Sequence, residues 1–79
     1  PLLQMRKPIS FMPNGSLVSG YQEKTLPNGQ IRKEIVFWER NGLRHGEFTL
    51  PDIEGLRVLG LEFSQESTLL TVHVEVSQG

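Results

Sequence analysis

Cysteine is absent from this chain, so no disulfide braces it and no thiolate is offered to a soft metal. That absence fits a reducing compartment, and a cytoplasmic location, with the nucleus as a second one, is the expectation. Histidine occurs only as His45 and His73, too few soft ligands for a zinc site. Asp52 is the sole aspartate, and neither a nucleophile elbow nor a phosphate-cradling glycine loop is present. Ser64, His73 and Asp52 can be grouped on paper as a triad, but nothing in their spacing ties them together. The chain is therefore expected to hold no catalytic, cofactor or metal site. A net charge of -1 lacks the basic excess of an electrostatic nucleic-acid binder. No apolar run approaches the roughly 20 residues of a membrane-spanning helix, and no signal peptide opens the chain. Helix-period stretches are missing too. At 79 residues and 37% hydrophobic content, the chain buries little surface and should lean on partners for stability. Its start at Pro1, without an initiator Met, suggests a piece of something longer.

What is present is β-strand. Ile35-Val36-Phe37-Trp38 is an unbroken β-branched and aromatic run, apolar on both faces as a central strand is. Asn41-Gly42 follows as a hairpin turn, and Phe48 and Leu50 then alternate with Glu47 and Thr49. A two-residue type I′ turn is expected here, which sets Arg40 against Leu43 and Glu39 against Arg44 as a cross-strand charge pair. Upstream, Ile9-Ser10-Phe11 and Leu17 to Tyr21 flank a turn built on Pro13-Asn14-Gly15. Residues 22–33 are polar and hold a second Pro-Asn-Gly, at Pro27-Asn28-Gly29, reading as a solvated loop or an exposed hairpin tip. Pro51 to Gly55 closes the hairpin. Val58 to Phe63 reads as a strand with Leu59, Leu61 and Phe63 on one face. Leu69 to Val76 reads as the last strand.

A faint repeat organises these strands. Ile9 to Val18 aligns with Leu61 to Leu70 at a constant offset of 52 residues, as apolar-x-Phe, polar turn, hydroxyl residue, two apolar residues. Four strands fall between the two starting points, at 9–12, 17–21, 34–40 and 44–50. A four-strand unit repeating at about 40–50 residues is the signature of a propeller blade. The expected fold is all-β: one four-stranded antiparallel blade over 9–50, then the first two strands of the next over 51–79. Residues 1–8 are a lead-in or truncated preceding strand. Trp38-Glu39 ends the third strand, where WD-repeat proteins often carry Trp-Asp. Phe11, Ile35, Phe37, Trp38, Phe48, Leu61 and Phe63 are the expected core. Detached from neighbouring blades, the segment would expose strand edges along Leu69 to Val76.

The run Glu39-Arg40-Asn41-Gly42-Leu43-Arg44-His45-Gly46, within Ile35 to Leu50, resembles a signature of the largest subunit of Elongator, the IKAP family. Pro13 to Val18 is similar to that family's preceding hairpin, Leu61 to Val72 is a looser match, and the chain departs from the family pattern at Gly60, Phe63 and His73-Val74. The resemblance implies a segment of the first of two amino-terminal WD-type propellers in a large scaffold. That scaffold organises a complex modifying wobble uridines of tRNA, with the catalytic chemistry in another subunit. The implied partners are the remaining blades of the parent chain and the other Elongator subunits, with direct tRNA contact left open and no membrane.

Arg40, Arg44 and His45 gather at one hairpin tip, where they could meet a phosphate or an acidic partner. The plainer reading is a solvated turn. Trp38 could stack a base, and with Arg40 and Arg44 it would make an RNA-binding β-domain; core packing is the plainer role. A self-contained small barrel or sandwich binding module is the main alternative. It requires the first and last strands to pair.

Overall fold

The computed structural model describes residues 6–77. Its six strands are β1 (Arg6–Phe11), β2 (Leu17–Thr25), β3 (Ile31–Glu39), β4 (Arg44–Thr49), β5 (Leu56–Phe63) and β6 (Leu70–Val76). β1 to β4 form one antiparallel sheet in chain order, and β5 and β6 form a second. Residues 1–5 of the expected lead-in lie outside the described residues, and β1 starts at Arg6, inside that stretch. Residues 22–33 are mostly strand. β2 and β3 pair without interruption from Leu17↔Glu39 to Thr25↔Ile31, and the chain reverses within Leu26 to Gln30. Polarity there marks solvent on both faces of a paired ribbon, since backbone hydrogen bonds do not require apolar side chains.

The doubly apolar run is central, as its composition demands. Ile35, Val36 and Trp38 are buried on β3, between β2 and β4. Alternation sends Tyr21 and Ile35 to one face, where they meet Leu50 and Leu56, with Phe37, Val58, Leu61, Leu70 and Val72 packed around them. This layer joins the two sheets, and each fully buried aliphatic chain in it contributes about 1.5–3 kcal/mol. Val18, Val36 and Trp38 form a smaller cluster on the opposite face.

Three of the expected inward positions are placed differently. Phe11 is 71% exposed: it ends the edge strand β1 opposite Val18, on the face turned away from the second sheet. Phe48 is 58% exposed, because β4 is also an edge and β5 and β6 do not extend far enough to cover it. Leu59 is 55% exposed rather than aligned with Leu61 and Phe63. A bulge between Val58 and Gly60 inserts Leu59 as an extra residue, so Val58 and Leu61 share the inward face instead.

The repeat is present in the hydrogen bonds. Met12 N–H donates to Leu17 O and Gly15 N–H to Met12 O, at 2.9 and 2.8 Å. At the same offset of 52 residues, Ser64 N–H donates to Leu69 O and Ser67 N–H to Ser64 O, both at 2.9 Å. Both hairpins also lose register at the same place, between Arg6 and Ile9 and between Val58 and Gly60. The two turns touch, with Asn14 N–H donating to Ser67 Oγ at 3.2 Å. Among the described residues β1 pairs only with β2 and β6 only with β5, so no barrel closes and the self-contained module is set aside.

Candidate interaction site at the β3–β4 hairpin

The hairpin tip is built from a three-residue loop. Gly42 N–H donates to Glu39 O at 2.9 Å, and Glu39 N–H donates to Leu43 O at 2.7 Å. Glu39 therefore pairs with Leu43, leaving Arg40, Asn41 and Gly42 as the loop. Gly42 alone of them has positive φ, at 89°. This is a type I turn closed by a glycine bulge, not the two-residue type I′ turn expected from Asn-Gly. The Asn41 carboxamide oxygen accepts from Leu43 N–H at 3.1 Å, a local bond that suits asparagine to this position. The same bonds recur at Leu26 to Gln30, where Pro27 stands in Arg40's place. Proline holds φ near −65°, the value a type I turn needs there.

The changed turn shifts the pairing at the tip, and the bulge at His45 restores the expected register from Phe37↔Gly46 onward. Trp38 faces Arg44 and Phe37 faces Gly46, with His45 bulged between them. The expected Glu39–Arg44 pair is replaced: His45 Nδ1 lies 3.6 Å from Glu39 Oε2. Arg44 instead reaches Glu47 at 3.1 Å and sits 5.9 Å from the centre of the Trp38 ring. Arg40 is exposed and carries no ion pair among the described residues. The three tip residues are thus close in sequence but unequal in state, with two of them already held by carboxylates.

Glu34, which no sequence pattern singles out, is the most constrained group nearby. Its side chain is fully buried on the face shared with Val36, Trp38 and Glu47. Arg32 and Arg44 stand 3.8 and 4.0 Å from its oxygens, beyond hydrogen-bond reach. Neither oxygen accepts a hydrogen bond from a donor in the described residues. Burial above all pushes the Glu34 carboxyl above its ordinary range, and the neighbouring Glu47 carboxyl pushes the same way against Arg32 and Arg44. The interaction with Glu34, then Arg44, pulls Glu47 below the ordinary range. Nothing in Arg32-Lys33-Glu34 marks the third residue as buried. Only its registry against Thr49, diagonal to Glu47, reveals it.

Ser64, His73 and Asp52 do not come together as a site: His73 pairs with Glu62 at 3.7 Å, and Ser64 caps its own turn by accepting from Thr68 and Leu69 N–H. No group of three or more potential metal ligands occurs among the described residues.

A four-stranded meander followed by a hairpin that repeats its first two strands, packed face to face upon it, is a β-propeller segment: one blade and the start of the next. More particularly, the chain belongs to the family described as ELP1 first N-terminal beta-propeller, which matches residues 1–77. It is 38% identical over 72 residues to a putative elongator complex protein 1 of Xenopus laevis, covering 90% of this chain and 6% of that protein. Elongator complex protein 1 of Schizosaccharomyces pombe is 36% identical over 69 residues, or 87% of this chain and 5% of the relative. The Saccharomyces cerevisiae protein of the same name is 44% identical over 48 residues, 61% of this chain and 4% of its own length. The chain thus spans only about one twentieth of the relatives it matches. No solved structure gives a significant match.

Proposed function

We propose that this segment is a non-catalytic structural part of a WD-type propeller in an Elongator large subunit, where it supports assembly of a complex that modifies wobble uridines of tRNA. The observation carrying this reading is the pair of hairpins 52 residues apart, which share their turn hydrogen bonds and touch through Asn14 and Ser67. Blades stacked in this way form a rigid ring whose loops offer fixed positions to partner proteins. In this reading the other blades of the parent chain and the other Elongator subunits are the partners, in the cytoplasm. Of Arg40, Arg44 and His45 at the tip, Arg40 has the least to give up on meeting a further partner, being exposed and without an ion pair among the described residues.

The test uses the parent subunit. Val36→Asp, which places a charge in the buried cluster, should reduce co-purification of the other Elongator subunits and tRNA modification in parallel. Arg40→Ala together with His45→Ala should leave assembly intact. Loss of modification in that tip variant with a fully assembled complex would instead favour direct RNA contact. Unchanged assembly in Val36→Asp would overturn the structural role.

A further inference from the structure

We propose that Asn41 is a modification site: its carboxamide converts to aspartate and isoaspartate through a succinimide, while Asn14 and Asn28 are held back by their turns. The inference rests on the hydrogen bonds of three turns and is independent of the assignment to Elongator.

All three asparagines of the chain precede glycine, at Asn14-Gly15, Asn28-Gly29 and Asn41-Gly42. Glycine has no Cβ to obstruct its backbone nitrogen. In the reaction that nitrogen gives up its proton and attacks the asparagine Cγ. A C–N bond forms, the Cγ–Nδ2 bond breaks, and ammonia leaves with the proton. Water then opens the ring at either carbonyl, giving aspartate or isoaspartate with no change of oxidation state. The dipeptides are alike and all three asparagines are exposed, so neither composition nor access of water separates them.

Each folded turn blocks the attack in the same two ways. The glycine N–H donates to the carbonyl three residues before it, Gly15 to Met12 at 2.8 Å, and Gly29 to Leu26 and Gly42 to Glu39 at 2.9 Å. The carboxamide oxygen accepts from the N–H two residues on, at 2.9 Å from Ser16, 3.0 Å from Gln30 and 3.1 Å from Leu43. A nitrogen turned toward a backbone carbonyl is not turned toward Cγ. Reaction therefore waits on opening of the turn, and its rate follows the open fraction.

Opening is not equally easy at the three sites. Pro13 and Pro27 precede the first two asparagines, and their fixed φ narrows the open state. Asn28 Nδ2 also donates to Gln30 Oε1, and Asn14 N–H donates to Ser67 Oγ, both at 3.2 Å. Asn41 has Arg40 in the proline's place, and its side chain and N–H make no bond among the described residues beyond that to Leu43 N–H. Behind Asn28 the ladder runs unbroken from Thr25↔Ile31 to Leu17↔Glu39, whereas behind Asn41 the bulge at His45 interrupts it close to the tip. Conversion sets a carboxylate beside Arg40, the tip cation that carries no ion pair among the described residues. Isoaspartate also adds a methylene to the backbone of a tight loop.

The experiment incubates the full-length parent protein at neutral pH and follows the three peptides by mass spectrometry. Electron-transfer fragmentation distinguishes isoaspartate from aspartate. In the folded protein Asn41 is expected to convert about tenfold faster than Asn14 or Asn28, and in denaturant the three rates should converge. Arg40→Pro copies the Pro27 turn and removes no backbone hydrogen bond of the loop. It should slow conversion of Asn41 about threefold in the folded protein and leave the denatured rate unchanged. Equal rates at the three sites in the folded protein, an order of rates that persists in denaturant, or an Arg40→Pro variant that converts as fast as the native protein would each overturn the proposal.

Discussion

Ser67 adopts the left-handed conformation, φ 60°, at the position that Gly15 occupies, φ 79°, in the turn 52 residues earlier. A side chain in that region costs roughly 1–2 kcal/mol, and Ser67 Oγ recovers part of it by accepting from Asn14 N–H. Ser67→Gly should therefore raise stability by about 0.5–1 kcal/mol, read as a shift in urea midpoint at unchanged slope. Destabilisation would show that the cross-turn bond outweighs the backbone strain at Ser67.

The turn at the β3–β4 tip makes a contrast between neighbours. Only Gly42 has positive φ, so Gly42→Ala should cost about 1–2 kcal/mol. Asn41→Ala loses only its bond to Leu43 N–H, about 0.5–1 kcal/mol. Equal costs at both positions would point to a two-residue turn with both residues left-handed.

The Glu34–Glu47 pair sets a pH dependence whose sign follows from the two directions. Glu34 is raised in the folded state, so its burial costs nothing below its ordinary value and increasingly destabilises as pH rises through its folded value. Glu47 is lowered, so its contribution is complete above its ordinary value and is lost as pH falls through its folded value. Stability should peak between the two folded values, where Glu34 is still neutral and Glu47 is already ionised. Glu34→Gln should flatten the alkaline side of that peak and be more stable than the native chain at neutral pH. Chemical denaturation across the acid-to-neutral range measures both. A Glu34→Gln chain that is less stable at neutral pH would mean that the ionised carboxylate is held by Arg32 and Arg44 after all.

Arg44 covers the only tryptophan of the chain. Arg44→Ala should lower stability by about 1 kcal/mol through the lost stacking and the Glu47 pair, and should shift Trp38 emission as the ring gains solvent. Unchanged emission would mean that the indole is covered by Val18 and Val36 alone.

Much of the fold was legible in the chain itself. Ile35 to Trp38 had to be central because no face of the run suits water, and the match between Ile9–Val18 and Leu61–Leu70 marked two equivalent hairpins. The tip was less legible. Asn-Gly is compatible with two loop lengths, and only the comparison with Pro27-Asn28-Gly29 and Pro13-Asn14-Gly15 hints that Arg40 holds a type I position. That one-residue difference in loop length is absorbed by the bulge at His45, and it exchanges the partners at the tip, from Glu39–Arg44 to Glu39–His45 and Arg44–Glu47.

Alternation and turn chemistry, which act over a few residues, determined the strands, their order and their doubling at an interval of 52. The tertiary structure decided what lies at strand ends and edges: that Glu34 is enclosed, that Phe11 and Phe48 are open, and that the bulge at Leu59 reverses which face it shares. Those outcomes depend on registry between strands and on how far one sheet reaches across another, distances that no local run of residues encodes.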